Sequence, residues 1–364
     1  MATSEGTWGY RDRFGDAFAR TYFRRFGPGV ASSVGLGTYL GEPTDAVDAR
    51  YRESIAEALS AGVNVVDTAI NYRHQRSERV VGEALEAADV DRQAVVVATK
   101  GGFVPFDGSP PDDPAAYVRS EFVDSGLLSA DDLARGSHAI APEFLDAMLD
   151  RSLTNLGVDT VDCYYVHNPE TQLQTRSREA VYDALEAAFE RLERRRTAGD
   201  IGGYGVATWN SFRVPRTHDA YLSLPEVVAR AESAAETVGL DDVGLTAVQL
   251  PFNVAMADAF TVAAHRHPDE ERDVSALEYA QAIGLDVVAS ATLAQGDLAR
   301  SIPAAVETEL SGETPAQRAI NFARSAPGVT TALVGTSSPA HVPENVAAGT
   351  FEPLGARAFD AVFE

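Results

Sequence analysis

Four polar side chains of different chemical type sit at or just beyond the ends of short apolar runs. Asp67 closes Val63-Asn64-Val65-Val66-Asp67, and Tyr72 follows in the next loop. Lys100 closes the run that begins at Ala94, and His167 closes Val161–Val166. Brought to one rim, they would form a proton-transfer device. A phenol with a pKa near ~10 is a poor acid at neutral pH. A neighbouring ammonium would lower that pKa. A carboxylate paired with the ammonium would fix its position and offset its burial cost. An imidazole could hydrogen-bond a substrate oxygen and orient it. The product is a phenol ready to protonate a carbonyl oxygen as hydride reaches the carbon, an effect of roughly 10²–10⁴ in rate. Each residue also has a plainer reading: Asp67 as a helix cap, Tyr72 as a surface aromatic, His167 as a turn residue before Asn168-Pro169. Lys100 resists that treatment. It is the only lysine in a chain whose other basic residues are all arginine, and a compact ammonium is what arginine cannot supply.

These residues need a scaffold, and the apolar pattern supplies one. Strands are expected at Val30–Gly37, 63–67, Ala94–Thr99, Val161–Val166, Ile201–Val206, Leu245–Leu250, Leu285–Ala289 and Thr330–Val334. Amphipathic helices alternate with them at Ala46–Ala61, Ser77–Ala88, Pro142–Leu156, Ser177–Thr197, Ala276–Ile283 and Thr314–Ser325. Eight such units predict an α/β fold, a closed (β/α)8 TIM barrel, over residues 30–350. Residues 1–29 read as an N-terminal arm or cap and 351–364 as a C-terminal tail. Long insertions are expected after strands 3 and 5, at Gly101–Ala141 and Phe212–Asp242, the second including a helix near Glu226–Thr237. Both leave C-terminal strand ends, where barrel sites lie, and read as substrate walls. Phe103, Phe106, Trp209 and Phe252 are candidate apolar lining residues.

The chain has 364 residues, with 54 acidic and 30 basic side chains and a net charge of −24. Such a surface repels phosphate backbones, so nucleic acid is not an expected partner. A hydrophobic share of 45% argues against disorder. An acidic, lysine-depleted, folded chain points to adaptation to high salt, where screening removes long-range repulsion. With one cysteine, Cys163, no intrachain disulfide can form, which fits a reducing cytoplasm. No run approaches a membrane span. Arg24-Arg25-Phe26 has the look of a twin-arginine signal, but the small, broken Gly27–Ser33 after it is not a clean apolar core, so a cytoplasmic protein is expected. His265-Arg266-His267 offers metal-ligand spacing. It is expected in a polar loop rather than on a strand, and no metal site is expected.

Three segments together carry a family resemblance. VNVVDTAINYRHQRSERVVGEAL (63–85), AVVVATK (94–100) and FLDAMLDRSLTNLGVDTVDCYYVHNPE (144–170) resemble, in order, the aldo-keto reductase segments around the catalytic aspartate and tyrosine, lysine, and histidine. The resemblance implies that Asp67, Tyr72, Lys100 and His167 are catalytic. It implies reversible hydride transfer between NAD(P)H and a small aldehyde or ketone (or the corresponding alcohol), with NADP(H) favoured over NAD(H). It also implies a cofactor site from Gly37, Thr38, Tyr39, Thr208, Gln249, Ser290, Leu293, Gln295, Gly335, Thr336, Ser337, His341, Glu344 and Asn345. Three departures stand out. Ala207 and Thr208 replace a Ser-Asn pair, Ser290 replaces a stacking tyrosine, and His341 replaces an arginine for the 2′-phosphate. They motivate an alternative, a catalytically weak nicotinamide-binding barrel acting as a sensor or subunit. Substrate and oligomeric state are left open.

Overall fold

Cap chemistry sets the helix boundaries. Thr44, Ser177, Ser275 and Thr314 each accept a backbone N–H from the first turn of the helix that follows, the usual N-cap arrangement. Gly157, Gly199 and Gly284 end helices at φ of 63°, 89° and 77°, backbone that a Cβ disfavours. The structure is a computed structural model describing residues 1–363. Among these the strands are β1 (Phe23–Phe26), β2 (Gly29–Ser32), β3 (Val34–Gly37), β4 (Val65–Asp67), β5 (Val96–Gly101), β6 (Cys163–His167), β7 (Tyr204–Ala207), β8 (Leu245–Pro251), β9 (His265–Arg266), β10 (Asp273–Val274), β11 (Asp286–Ser290) and β12 (Val329–Gly335). Eight of them close a parallel barrel in the order β11-β12-β3-β4-β5-β6-β7-β8.

The helices are α1 (Ser4–Phe14), α2 (Asp45–Ser60), α3 (Arg76–Ala87), α4 (Pro114–Val118), α5 (Pro142–Leu156), α6 (Arg178–Ala198), α7 (Leu224–Thr237), α8 (Asp258–Thr261), α9 (Ala276–Ile283), α10 (Asp297–Arg300), α11 (Ala304–Glu307), α12 (Pro315–Ser325), α13 (Val342–Ala347) and α14 (Ala356–Asp360). The barrel's own helices are α2, α3, α5, α6, α7, α9, α12 and α13, one after each barrel strand. The main core lies between this ring and the strands.

Three sequence expectations need correction. Val30–Gly37 is not one strand. Gly29–Ser32 pairs antiparallel with Phe23–Phe26, and Val34–Gly37 alone joins the barrel. The break falls at Ser33, a buried serine inside an apolar run, which is why the run reads as continuous. The helix expected near Glu226–Thr237 is present as α7 and is the fifth barrel helix, so only the rest of Phe212–Asp242 is insertion. His265 and Arg266 do lie on a strand, the two-residue β9 paired with β10. The β9–β10 ladder makes the connection after β8 long, and α10 and α11 do the same after β11.

The hairpin closes one end of the barrel. Ala31 of β2 packs in one cluster with Val65, Val96, Val288 and Leu333, inward-facing residues of which Val65 and Val96 begin their strands. Side chains alternate along a strand, so the inward rows continue through Ala98 to Lys100 and through Tyr165 to His167. The middle of the barrel holds Ala98, Cys163, Tyr165, Ala207 and Ala247. The same alternation carries Val65 to Asp67 and Ala247 to Gln249. Polar residues thus lie toward the end opposite the hairpin on the inward rows of three neighbouring strands, β4, β5 and β6, and of β8, with β7 between.

Candidate active site

Lys100 and Asp67 form the centre of this polar layer. Lys100 is fully buried, and its Nζ donates to Asp67 Oδ1 at 2.5 Å and to the Thr68 carbonyl at 2.7 Å. Gln249 Nε2 donates to Asp67 Oδ2 at 2.8 Å, so both carboxylate oxygens are engaged. Tyr72 comes from the β4–α3 loop and lies over this pair, with Lys100 Nζ 4.8 Å from its ring centroid. His167 closes the group from β6, its ring 5.9 Å from that of Tyr72. Adjacent strands β4, β5 and β6 therefore bring together the four residues first singled out.

Burial decides the electrostatics. It works against the Lys100 ammonium, but Asp67 and Tyr72 outweigh it and hold the Lys100 pKa above its ordinary value. For Tyr72, burial pushes the phenol pKa up, and the attraction of Lys100 does not reverse it. The ammonium lowers this pKa as expected, but burial outweighs it, so a desolvated phenol with Asp67 nearby stays protonated. Burial, Lys100 and His138 together hold His167 well below the usual imidazole range, so its ring is neutral at pH 7.

Residues that sequence reasoning missed fix these side chains. His138 Nε2 donates to the His167 carbonyl at 2.7 Å, and Gln172 Nε2 donates to His138 Nδ1 at 2.9 Å, which sets the tautomer. Gly102 permits the approach: at φ +150° its backbone disfavours a side chain, and an added Cβ would lie 2.6 Å from the His167 carbonyl oxygen. Tyr72 precedes three consecutive left-handed residues, Arg73, His74 and Gln75, at φ of 48°, 58° and 70°. Such backbone persists only where its surroundings impose it. Here the buried Arg73 pairs with Asp48 and donates to the Glu42 carbonyl at 3.0 Å, and Gln75 Nε2 donates to the Phe106 carbonyl at 2.9 Å. No sequence signal marks these partners, which lie about 25 to 35 residues away along the chain.

The residues expected to hold a cofactor follow the same rim. Gly335 pairs with Gly37, and Gly37 with Asp67, across neighbouring strands. Thr38 is buried and donates to the Asp67 carbonyl at 3.2 Å, while Tyr39 is 57% exposed with its ring 5.0 Å from that of Tyr72. Thr208 Oγ1 and the N–H groups of Trp209 and Asn210 all donate to Glu170 Oε1, at 2.9, 2.8 and 3.0 Å. Ser290 ends β11, and Leu293 and Gln295 lie in the loop beyond it. Asn345 Nδ2 donates to Thr336 Oγ1 at 3.0 Å, joining the two ends of the segment that also holds Ser337, His341 and Glu344. Arg50 of α2, not singled out from sequence, donates from Nε to the Ser337 carbonyl at 3.3 Å.

The apolar candidates separate. Phe103 stands edge-on to His167 with centroids 5.1 Å apart, and Phe106 packs against His74 and Tyr117. Trp209 is 42% exposed at the rim. Phe252 is not a lining residue: it is fully buried and stacks on Phe322 in the core. Of the histidine pair, His265 is buried, with Nε2 donating to the Phe212 carbonyl at 2.9 Å and Nδ1 accepting the Leu224 N–H at 3.2 Å. Both of its ring nitrogens serve the fold.

The sequence profile of the aldo/keto reductase family matches residues 33–363. The chain belongs to that family. Similar solved structures include an aldo-keto reductase from Bacillus halodurans in its holo form (21% identity, TM-score 0.62, 94% of this chain and 95% of that one). Another is a glycerol dehydrogenase from Gluconobacter oxydans (19% identity, TM-score 0.63, 95% of each chain). At these identities the likeness establishes the (β/α)8 fold of this aldo/keto reductase. Among curated relatives, a 6-dehydroglucose reductase of Novosphingobium aromaticivorans is 28% identical over 156 residues, 41% of this chain and 42% of its own. An NADH-specific methylglyoxal reductase of Escherichia coli is 30% identical over 141 residues, 37% of this chain and 38% of its own. The chain spans less than half the length of each of these two relatives.

Proposed function

We propose that this aldo/keto reductase transfers hydride reversibly between a nicotinamide cofactor and the carbonyl carbon of a small aldehyde or ketone. The observation that carries the reading is the convergence of Tyr72, Lys100, Asp67 and His167 at one end of a barrel whose other end is plugged. The rim suits an extended dinucleotide. The space beside Gly37 is open, an added Cβ meeting only Gly335 N at 4.0 Å. Thr336 and Asn345 are already linked at the far end. Gln249 and Thr208 would hold the nicotinamide end, and Ser337, His341, Glu344 and Asn345 the adenosine end. When bound, the nicotinamide supplies or accepts the hydride.

The chain's own residues do the rest. Neutral His167 would donate a hydrogen bond to the substrate oxygen and orient it. Protonated Tyr72 would give that oxygen its proton, and Lys100, anchored by Asp67, would stabilise the phenolate left behind. In the oxidative direction the same phenolate takes the alcohol proton. NADP(H) is favoured over NAD(H): Arg50 stands beside the segment where His341 takes the place of the family's arginine. A Klebsiella pneumoniae aldo-keto reductase of similar fold binds NADPH. Exposed Tyr39 and Trp209 offer ring faces for a polyhydroxylated substrate, and two relatives are named for sugar chemistry, the 6-dehydroglucose reductase and a D-threo-aldose 1-dehydrogenase. Sugar-derived carbonyls therefore head the substrate panel. The reading also places the protein in the cytoplasm of a salt-adapted organism. Among the described residues no helix is long and apolar enough to cross a membrane.

The test is NADPH oxidation with a panel of aldehydes and ketones, repeated with Tyr72→Phe. Turnover by the parent chain and a loss of roughly 10²-fold or more in the variant, with cofactor binding and melting temperature retained, is the expected outcome. Near-normal turnover by the variant would remove Tyr72 from its role.

A further inference from the structure

A cavity of about 490 Å³ opens at the end of the barrel opposite the candidate active site. Val329, which begins β12, lies in its wall together with β1 of the plugging hairpin, the end of α12 and the C-terminal segment at Pro353-Leu354. Four arginines line it, Arg20, Arg24, Arg25 and Arg324, beside the hydroxyls of Thr21 and Ser325. No aspartate or glutamate belongs to this wall among the described residues.

That composition is out of character for a chain of net charge −24. Many arginines elsewhere are spent on carboxylates: Arg230 alone meets Glu179, Asp183, Glu186 and Glu226. The cavity arginines are held by neutral groups instead. Arg24 donates to the carbonyls of Thr21, Val329 and Arg324, at 3.2, 2.5 and 2.5 Å. Arg324 donates to Ser33 Oγ at 3.1 Å, to Asn321 Oδ1 at 3.1 Å, and to the carbonyls of Ala348 and Phe351 at 2.9 and 2.7 Å. Its Nη2 is buried and without a partner. Arg25 is steadied over the Trp8 ring at 5.6 Å. Carbonyl dipoles fix these guanidinium groups in place but leave their charge uncancelled. Burial and the Arg324 charge bring the Arg24 pKa down to about 9, and burial brings that of Arg324 down to about 10, against the pull of Tyr22 and of Glu352 outside the wall. Both shifts record chiefly the burial of the guanidinium groups; the lack of a carboxylate is a matter of the wall's composition.

We propose that this cavity is a second binding site, for an oxyanion: inorganic phosphate, or the phosphate group of a small metabolite. Guanidinium forks match the oxygen spacing of phosphate, and charge-assisted hydrogen bonds from several donors give both affinity and geometry. The volume exceeds that of a bare phosphate ion and falls within the range of metabolite-sized pockets. The site needs nothing from the opposite rim, so it is independent of the proposed reaction.

The experiment is calorimetric titration of the full chain with inorganic phosphate at low chloride, with NADPH present to occupy the rim, and a parallel melting series. The expected result is saturable binding of one phosphate per chain and a melting temperature that rises with phosphate. The double variant Arg20→Ala/Arg25→Ala changes two exposed side chains and removes from the fold only the contact of Arg25 with the Trp8 ring. It should melt normally without phosphate and bind phosphate at least about tenfold more weakly. Glycerol phosphate separates the two sources: tighter binding than inorganic phosphate marks a metabolite, and equal binding marks the free ion. No saturable binding by the parent chain, or unchanged binding by the double variant, would overturn the proposal.

Discussion

Tyr72 is held differently from the residues around it. Asp67, Lys100 and His167 stand on strands, where the alternation of side chains and the strand ends announce them. Their positions are therefore legible in the sequence. Tyr72 stands on a loop, and its place depends on the left-handed run Arg73–Gln75 and on contacts to Asp48, Glu42 and Phe106. Those partners are far away in the chain and carry no motif. His138 and Glu170 were illegible for the same reason: each acts on a backbone group of another element. Arg50 belongs to this class and carries a prediction. If it supplies positive charge to a 2′-phosphate, Arg50→Ala should weaken NADPH binding about tenfold and leave NADH binding nearly unchanged. Fluorescence titration with the two cofactors measures this directly, and parallel changes in both would count against it.

Among the elements, periodic helices were the easiest to locate. α5 and α9 fall at Pro142–Leu156 and Ala276–Ile283, as the pattern requires, because each ends at a glycine in left-handed backbone. The hairpin β1–β2 was hidden because β2 and β3 form one apolar run, and only pairing partners reveal that the first half leaves the barrel. This plug makes a contact that depends on pH. Asp286 accepts Thr330 Oγ1 at 2.8 Å and the Gly27 N–H at 3.4 Å. Burial raises its pKa to about 6. The unfolded chain would titrate near ~3.9. A carboxyl raised on folding contributes stability that is present below the unfolded value and lost as pH rises through about 6. Asp286→Asn should therefore melt higher relative to the parent chain at pH 7.5 than at pH 4. A difference in melting temperature independent of pH would show that the carboxyl is not the titrating group.

For the whole molecule, net charge and ion pairing pull against each other. A charge of −24 repels itself at low ionic strength, where the Debye length is long, and much less in molar salt, where it falls to about 3 Å. The short ion pairs around Arg230 and Arg195 are at contact distance and lose less to screening. The melting temperature should therefore rise as KCl increases from dilute buffer to about 2 M, with activity following. Greatest stability in dilute buffer would speak against a salt-adapted surface. The chain's charge and its arginine bias were readable from composition alone. What composition could not show is that four arginines escape the pairing and gather at one end.

The burial of Lys100 has a consequence for the reactivity of the surface. It is the sole lysine and is wholly enclosed, so the folded exterior offers no ε-amine to an electrophile. With the proposed function, which has free aldehydes and ketones as substrates, this arrangement would spare the protein Schiff-base formation and glycation by its own substrates at lysine. Treated with an amine-selective acylating reagent, the folded chain should gain mass at its α-amino terminus alone. A second adduct, at Lys100, should appear only after unfolding. Early modification of Lys100 in the native protein would show that its enclosure opens.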